Sequence, residues 1–171
     1  MKNAHGHTLI ELLFCLIALT GLASIGIPHL IHAHQQMNQR IATNSMLGAL
    51  HYARNQAVTS RIKTSLCNGQ LACTNNPIWR DDLLIFSDPN GNGQLDNGEV
   101  LLQKLTIPEG YTWRWSSFRS RTRISFASDG TTLSLNGTFT LCDRTTPTRQ
   151  IVVSITGRPR IRPPEPDAHC T

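Results

Sequence analysis

The chain has 171 residues, of which 39% are apolar and only 16% charged, well below the ~25% charge of an average soluble protein. That composition excludes a disordered, collagen-like or coiled-coil chain and points to a part of the molecule that avoids water. The net charge of +5 is unevenly placed: residues 1–110 hold 7 basic and 7 acidic side chains, whereas residues 111–171 hold 9 arginines and 4 carboxylates. Positive charge confined to the last third suits a polyanionic partner, nucleic acid or an anionic membrane surface, with a solubilising face as the plainer alternative.

From Thr8 to Ile31 run 24 residues with a single charge, Glu11. As a helix this stretch measures about 36 Å, enough to cross the ~30 Å hydrocarbon core of a bilayer. A secretory signal has a basic start, a shorter apolar run and a small-residue cleavage site behind it. Here Lys2 is the one basic residue of the start, the run is long, and a carboxylate stands at its front edge. A carboxylate in a membrane segment is costly and implies a function and a partner. A proteolytic cut just ahead of the run would create that partner, a positively charged amino terminus.

These residues, Gly6-His7-Thr8-Leu9-Ile10-Glu11-Leu12-Leu13, resemble the prepilin signal of type IV pilins and pseudopilins, usually G-F-T-L-I-E-L-L, with His7 in place of Phe. The resemblance implies cleavage after Gly6 by a prepilin peptidase and N-methylation of His7. It implies that Glu11 neutralises the amino terminus of a neighbouring subunit during filament assembly. It also implies an α+β type IV pilin fold: a long N-terminal helix, its first half in the inner membrane, packed on an antiparallel β-sheet head. Pro28 falls where pilins often place a helix-bending proline.

The helical pattern continues past the membrane. Met46, Leu50, Ala53 and Ala57 form an apolar stripe, with Ile41, Leu47 and Ala49 nearby and Arg40, Asn44, Gln56 and Arg61 on the flanks. No Gly-Pro stop appears before residue 62, and Gly48 is the single weak point. The expected organisation is a leader over residues 1–6, a transmembrane half-helix over 7–33 and an amphipathic half-helix over 34–62. A β-rich head over 63–162 and an extended tail over 163–171 follow. Within the head, β-rich segments are expected at Lys63–Cys67, Leu83–Phe86, Val100–Leu105, Tyr111–Trp115, Arg123–Phe126, Thr138–Cys142 and Ile151–Ile155. Turn signals such as Asn75-Asn76-Pro77, Pro89-Asn90-Gly91, Ser128-Asp129-Gly130 and Asn136-Gly137 separate them.

Cys15 lies in the apolar run and reads as a small buried hydrophobe. Cys67, Cys73, Cys142 and Cys170 form an even set in a polar region, as in a disulfide framework of an oxidising compartment. Of the three formal connectivities, Cys67–Cys73 with Cys142–Cys170 is favoured, because five residues between the first two close a small loop. The absence of CxxC excludes a zinc ribbon and a thioredoxin-like motif.

Further along, Leu50-His51-Tyr52-Ala53-Arg54-Asn55-Gln56-Ala57 followed by Cys67 resembles the helix end and first strand of the FimT/GspH minor pilins. So do Gly137-Thr138-Phe139-Thr140-Leu141-Cys142-Asp143 and Ile151-Val152-Val153-Ser154-Ile155-Thr156-Gly157-Arg158-Pro159-Arg160. The resemblance implies one of two roles. GspH-like members are minor pseudopilins of type II secretion; FimT-like members are minor pilins, some of which bind DNA during natural transformation.

The run Gly157-Arg158-Pro159-Arg160-Ile161-Arg162 is the sharpest candidate site. In an extended segment Arg158, Arg160 and Arg162 fall on one face about 6.6 Å apart, and Pro159 and Pro163 keep the segment from becoming helical. Three guanidinium groups in a row suit phosphate contacts, and the run resembles the GRxR-type motif of DNA-binding FimT proteins. An exposed strand end kept soluble by charge is the alternative. Arg119, Arg121 and Arg123 repeat the spacing and form a second candidate, beside Trp113, Trp115 and Phe118. Those aromatics would either stack bases or, as the alternation favours, form core.

Asp88-Pro89-Asn90-Gly91-Asn92-Gly93-Gln94-Leu95-Asp96-Asn97-Gly98-Glu99 fits the EF-hand loop pattern, but its flanks read as strands. A metal-free polar hairpin is favoured here, so no metal and no cofactor is expected. His29, His32 and His34 do not share a helical face well and read as a polar fringe at the membrane surface. No nucleophile elbow, phosphate loop or suitably placed carboxylate pair supports an enzyme. The expected function is therefore a minor type IV pilin that assembles with other pilin subunits and binds DNA through its C-terminal arginines. The alternatives are a GspH-like minor pseudopilin and a purely structural, calcium-stabilised head.

Overall fold

The computed structural model describes residues 9–119 and 121–171, so Gly6 and His7 lie outside the described residues. One helix, α1, runs Leu9–Ser60 without interruption and contains Pro28. The chain divides into two units, Met1–Asn38 and Gln39–Thr171.

In the first unit α1 is apolar on all sides, and its large side chains are exposed, among them Leu12, Phe14, Leu22 and Leu30. Mean hydropathy reaches 2.2 over 18 residues, so the helix is long and apolar enough to cross a bilayer. Cys15 is exposed here, against the expectation of a buried hydrophobe. The apolar run around it forms the outer surface of a helix that would meet lipid. His29, His32 and His34 are likewise exposed.

In the second unit α1 buries one stripe, Ala42, Thr43, Met46, Ala49, Leu50, Ala53 and Ala57. Spacings of three and four place these residues on one face. The strands that follow are β1 Thr64–Asn68, β2 Ile78–Trp79, β3 Asp82–Ser87, β4 Leu101–Thr106, β5 Tyr111–Ser117, β6 Ile124–Phe126, β7 Gly137–Asp143, β8 Thr146–Val153 and β9 Pro159–Arg162. They form a 4-stranded sheet, β4-β3-β1-β6, and a 5-stranded sheet, β2-β5-β7-β8-β9. All the pairings within them are antiparallel.

The seven expected β segments are all present, with shifted ends. β8 starts at Thr146 rather than Ile151 and stops at Val153, because Ser154–Arg158 forms the hairpin turn into β9. The sequence expectation of Arg123 within a strand fails, since β6 begins at Ile124.

The five-stranded sheet sorts its side chains by the two-residue period of a strand. Tyr111, Trp113 and Trp115 of β5 point to the core, while Thr112, Arg114 and Ser116 alternate outward. Phe139 stacks on Trp115 with centroids 4.1 Å apart and meets the edge of Trp79 at 4.9 Å. These rings, with Leu141, Ile151 and Val153, belong to the same core as the helix stripe.

Both disulfides are formed, Cys67–Cys73 and Cys142–Cys170, with sequence separations of 6 and 28. The second ties the tail, residues 163–171, to β7; the tail is not extended throughout as expected, since Ala168 N–H donates to the Glu165 carbonyl at 3.0 Å and closes a turn at residues 166–167. Closing a loop of that length removes unfolded-state entropy worth about 3–4 kcal/mol. Replacing both Cys142 and Cys170 by Ser should therefore lower the unfolding free energy by about that amount, read by urea denaturation of the full chain in detergent. Unchanged stability would show that the tether contributes nothing.

Candidate nucleic-acid interface

The β8–β9 hairpin presents the C-terminal arginines, and its turn is held at three points. Ser154 N–H donates to the Arg158 carbonyl at 3.2 Å, Gly157 N–H donates to the Ser154 carbonyl at 2.9 Å, and Arg158 N–H donates to Ser154 Oγ at 3.2 Å. Gly157 has φ +73, in the left-handed region, and a Cβ there would run into the carbonyl oxygen of Gly130. That carbonyl also accepts a hydrogen bond from Arg54 Nε of α1 at 3.0 Å. Asp129, beside it, has its pKa lowered by the N–H and hydroxyl of Thr131, with a smaller contribution from the Arg54 charge. One helix side chain thus fixes the loop on which the arginine turn rests.

The ladder places the strand's side chains. Arg160 stands opposite Val152 and Arg162 opposite Gln150, whereas Pro159 and Ile161 stand opposite the buried Val153 and Ile151. Arg160 and Arg162 therefore share the outer face of the sheet. Arg158, opposite Ser154, continues the same alternation. Arg158 and Arg160 are exposed.

Arg162 is different. It is half-buried, its Nε donates to Gln150 Oε1 at 2.9 Å, and its Nη1 pairs with Glu165 Oε1 at 2.5 Å. Gln150, itself buried, donates through Nε2 to Thr140 Oγ1 at 3.1 Å. Thr140 stands opposite Arg114, so one outer row reads Arg114, Thr140, Gln150, Arg162 across four strands. The three arginines expected on one face thus differ in their surroundings: Arg162 anchors the tail, and its charge is met by a carboxylate.

Sequence reasoning missed Arg114. It occupies the outward position between two inward tryptophans, and that alternation was the available signal. Arg114, Ser116, Thr138, Thr140, Gln150 and Arg162 line a groove of about 150 Å³, closed on one side by the tail residues Glu165 to His169. A second groove of about 360 Å³ is lined by Pro77, Arg114, Ser116, Ser117, Arg121 and Thr122. Arg114 and Ser116 border both, so polar surface runs from Arg121 to Arg162.

The second arginine triad does not form a row. The chain leaves β5 at Ser117 and turns, with Arg121 N–H donating to Ser117 Oγ at 2.7 Å. Arg119 and Arg121 are exposed. Arg123 instead lies where a Cβ on Gly93 would project, against the Asp88–Glu99 loop. Burial and the Arg121 charge lower the Arg123 pKa, and the Asp88 charge opposes them. Trp113 and Trp115 are core, while Phe118 is 84% exposed. Glu11 sits in the first turn of α1.

A lipid-length apolar helix that continues into an antiparallel head defines this molecule as a type IV pilin-like subunit. Two crystal structures of the Pseudomonas aeruginosa type IV minor pilin FimU share the fold. They superpose with TM-scores of 0.57 and 0.56 at 22% and 20% identity, covering 77% and 80% of this chain and 99% and 98% of theirs. The family model described as "Type II transport protein GspH" matches residues 42–157, and the chain belongs to this FimT/GspH family of minor pilins and pseudopilins. No curated protein matches the sequence. The family match ends at Gly157, one residue before the arginine run.

Gly157→Ala should destabilise the head by about 1–3 kcal/mol, since it combines a left-handed φ with a backbone collision. Thermal unfolding of the full chain checks this; a variant as stable as the parent would show that the turn relaxes freely.

Proposed function

We propose that this chain is a minor pilin of the FimT-like branch that enters a type IV pilus and binds DNA during natural transformation. The carrying observation is the placement of Arg160 on the exposed outer face of the edge strand β9, with Arg158 exposed in the turn that leads into it. Among the described residues neither is engaged in an ion pair. Guanidinium groups so placed meet phosphate oxygens and release counterions, and Arg114 and Arg121 extend the positive surface along the grooves. Such contacts position DNA without reading its sequence. Glu165 on Arg162 is a built-in carboxylate at the place where a phosphate would otherwise sit.

The rest of the reading follows the resemblance at the N-terminus. Prepilin peptidase cuts after Gly6, His7 is methylated, and the helix holds the subunit in the inner membrane with the head in the periplasm until assembly. Glu11 then pairs with a neighbour's amino terminus. The second reading, a minor pseudopilin of type II secretion, takes its support from the description of the matched family.

Affinity for duplex DNA should fall with salt at a log–log slope of about −0.9 per phosphate contacted. Replacing Arg158 and Arg160 by Gln should flatten that slope by about 2 and weaken binding for all sequences. Glu165→Gln should strengthen binding by freeing the Arg162 guanidinium. Fluorescence anisotropy of the full chain in detergent across a salt series checks both. Unchanged slope and affinity in the double variant would replace this reading with the pseudopilin one. For assembly, Glu11→Ala should leave membrane insertion intact and reduce incorporation into filaments, scored by immunoblot of sheared pili; normal incorporation would contradict the pairing.

A further inference from the structure

We propose that the Asp88–Glu99 loop between β3 and β4 is a calcium site. Sequence alone favours a metal-free hairpin, and the buried carboxylate at the head of the loop reverses that preference.

Asp88 is 0% exposed. Its Oδ2 accepts hydrogen bonds from Ser65 Oγ and from Gly93 N–H, the latter at 3.1 Å. Its Oδ1 is buried and has no hydrogen-bond partner. At the other end of the loop Glu99 Oε2 accepts from Asp96 N–H at 3.2 Å, while Oε1 is also buried without a partner. Buried carboxylate oxygens are among the costliest polar atoms to leave unmatched. Here two of them belong to the first and twelfth positions of a calcium-loop pattern, which supply the terminal ligands.

The strands bring these two ends together. Ser87 N–H donates to the Val100 carbonyl at 3.0 Å, and Val100 N–H donates to Ser87 Oγ at 3.2 Å. Asp88 and Glu99 are the next residues inward from that closing pair. Strands here do the work that two helices do elsewhere: they hold the loop's ends side by side. Between the ends, Asp96 Oδ2 accepts from the amides of Asn90 at 2.9 Å and Asn92 at 2.6 Å. Gly93, with φ +69, makes the bend.

The charged groups packed around the loop do not fill the role. Arg123 lies over Gly93 and Lys63 Nζ beside Gly91, yet neither donates to Asp88 Oδ1. Among the described residues no three His, Cys, Asp or Glu side chains converge as a metal cluster. The shell must therefore add amide and backbone oxygens from Asn90, Asn92 and Gln94 to the carboxylates. An all-oxygen set with adaptable geometry selects a hard cation, and the many donor positions of a twelve-residue loop favour Ca²⁺ over Mg²⁺. With asparagine at two acidic positions, affinity belongs to the weak class typical of extracellular modules, a Kd on the order of 10⁻⁴ M.

The test is calcium titration of the full chain in detergent by calorimetry, with thermal unfolding in about 2 mM CaCl₂ or EGTA. One ion should bind per chain, and Tm should rise by about 3–5 °C. Glu99→Gln should abolish the calcium-dependent rise while leaving Tm in EGTA close to that of the parent. No binding heat and no rise in the parent protein would overturn the site. So would a full rise retained in Glu99→Gln, or an equal rise with MgCl₂ in place of CaCl₂.

Discussion

The two-residue period of β5, β7 and β8 is the constraint on which the rest of the head depends. Trp113, Trp115, Phe139, Leu141, Ile151 and Val153 are committed to the core that also contains the helix stripe from Ala42 to Ala57. Each aromatic ring hides roughly 150–250 Å² of surface, worth about 4–6 kcal/mol at 25 cal/mol/Å². A register slip of one residue would turn those rings to water and bring arginine and glutamine inward. With the inner face fixed so strongly, Arg114, Thr140, Gln150, Arg160 and Arg162 have only the outer face to occupy. The polar face is thus a geometric consequence of the apolar one.

The second determinant is covalent. Cys142 bonds to Cys170 and draws the tail onto the β7 side of the sheet, so that Glu165, Asp167 and His169 border the same groove as Arg114 and Arg162. The net charge of the last third therefore overstates what is available to a ligand. Arg162 is spoken for by Glu165 and Gln150, and Arg123 lies against the Asp88–Glu99 loop. Of the other arginines in this third, Arg158, Arg160, Arg114 and Arg121 lie on the outer sheet face, in the turn into β9 or along the two grooves, while Arg119, Arg144 and Arg149 are exposed elsewhere on the head. The turn that carries Arg158 is itself referred back to the helix through Arg54, Gly130 and Gly157.

Much of this was legible in the sequence because strong periodicities leave few options. The helix follows from an apolar run that narrows to a stripe at spacings of three and four, and the strands from short runs bounded by turn residues. β2 was not legible, since two residues beside Asn76-Pro77 carry no period. The start of β8 was hidden by Thr146-Pro147-Thr148-Arg149-Gln150, whose polar side chains look like loop but pair with β7. Alternating arginines at 119, 121 and 123 imitated a strand, yet Ser117 turns the chain before the pattern begins. The commitment of Arg162 depends on a tail brought back by a disulfide, and no local pattern encodes that. Arg114 went unnoticed because a lone arginine between tryptophans gains meaning only once neighbouring strands set Arg162 in the same row.

The central claim, that DNA lies across the outer face of the five-stranded sheet, is tested most directly by site-specific photocrosslinking. A photoreactive side chain placed at Val152, on the outer face opposite Arg160, is compared with one at Val100, an exposed position beside β4. Full-length protein in detergent is irradiated with labelled DNA at low salt. The proposed DNA-binding reading predicts crosslinks from position 152 that vanish as salt rises, and none from position 100. Equal labelling at both positions, or labelling at 100 alone, would contradict the account.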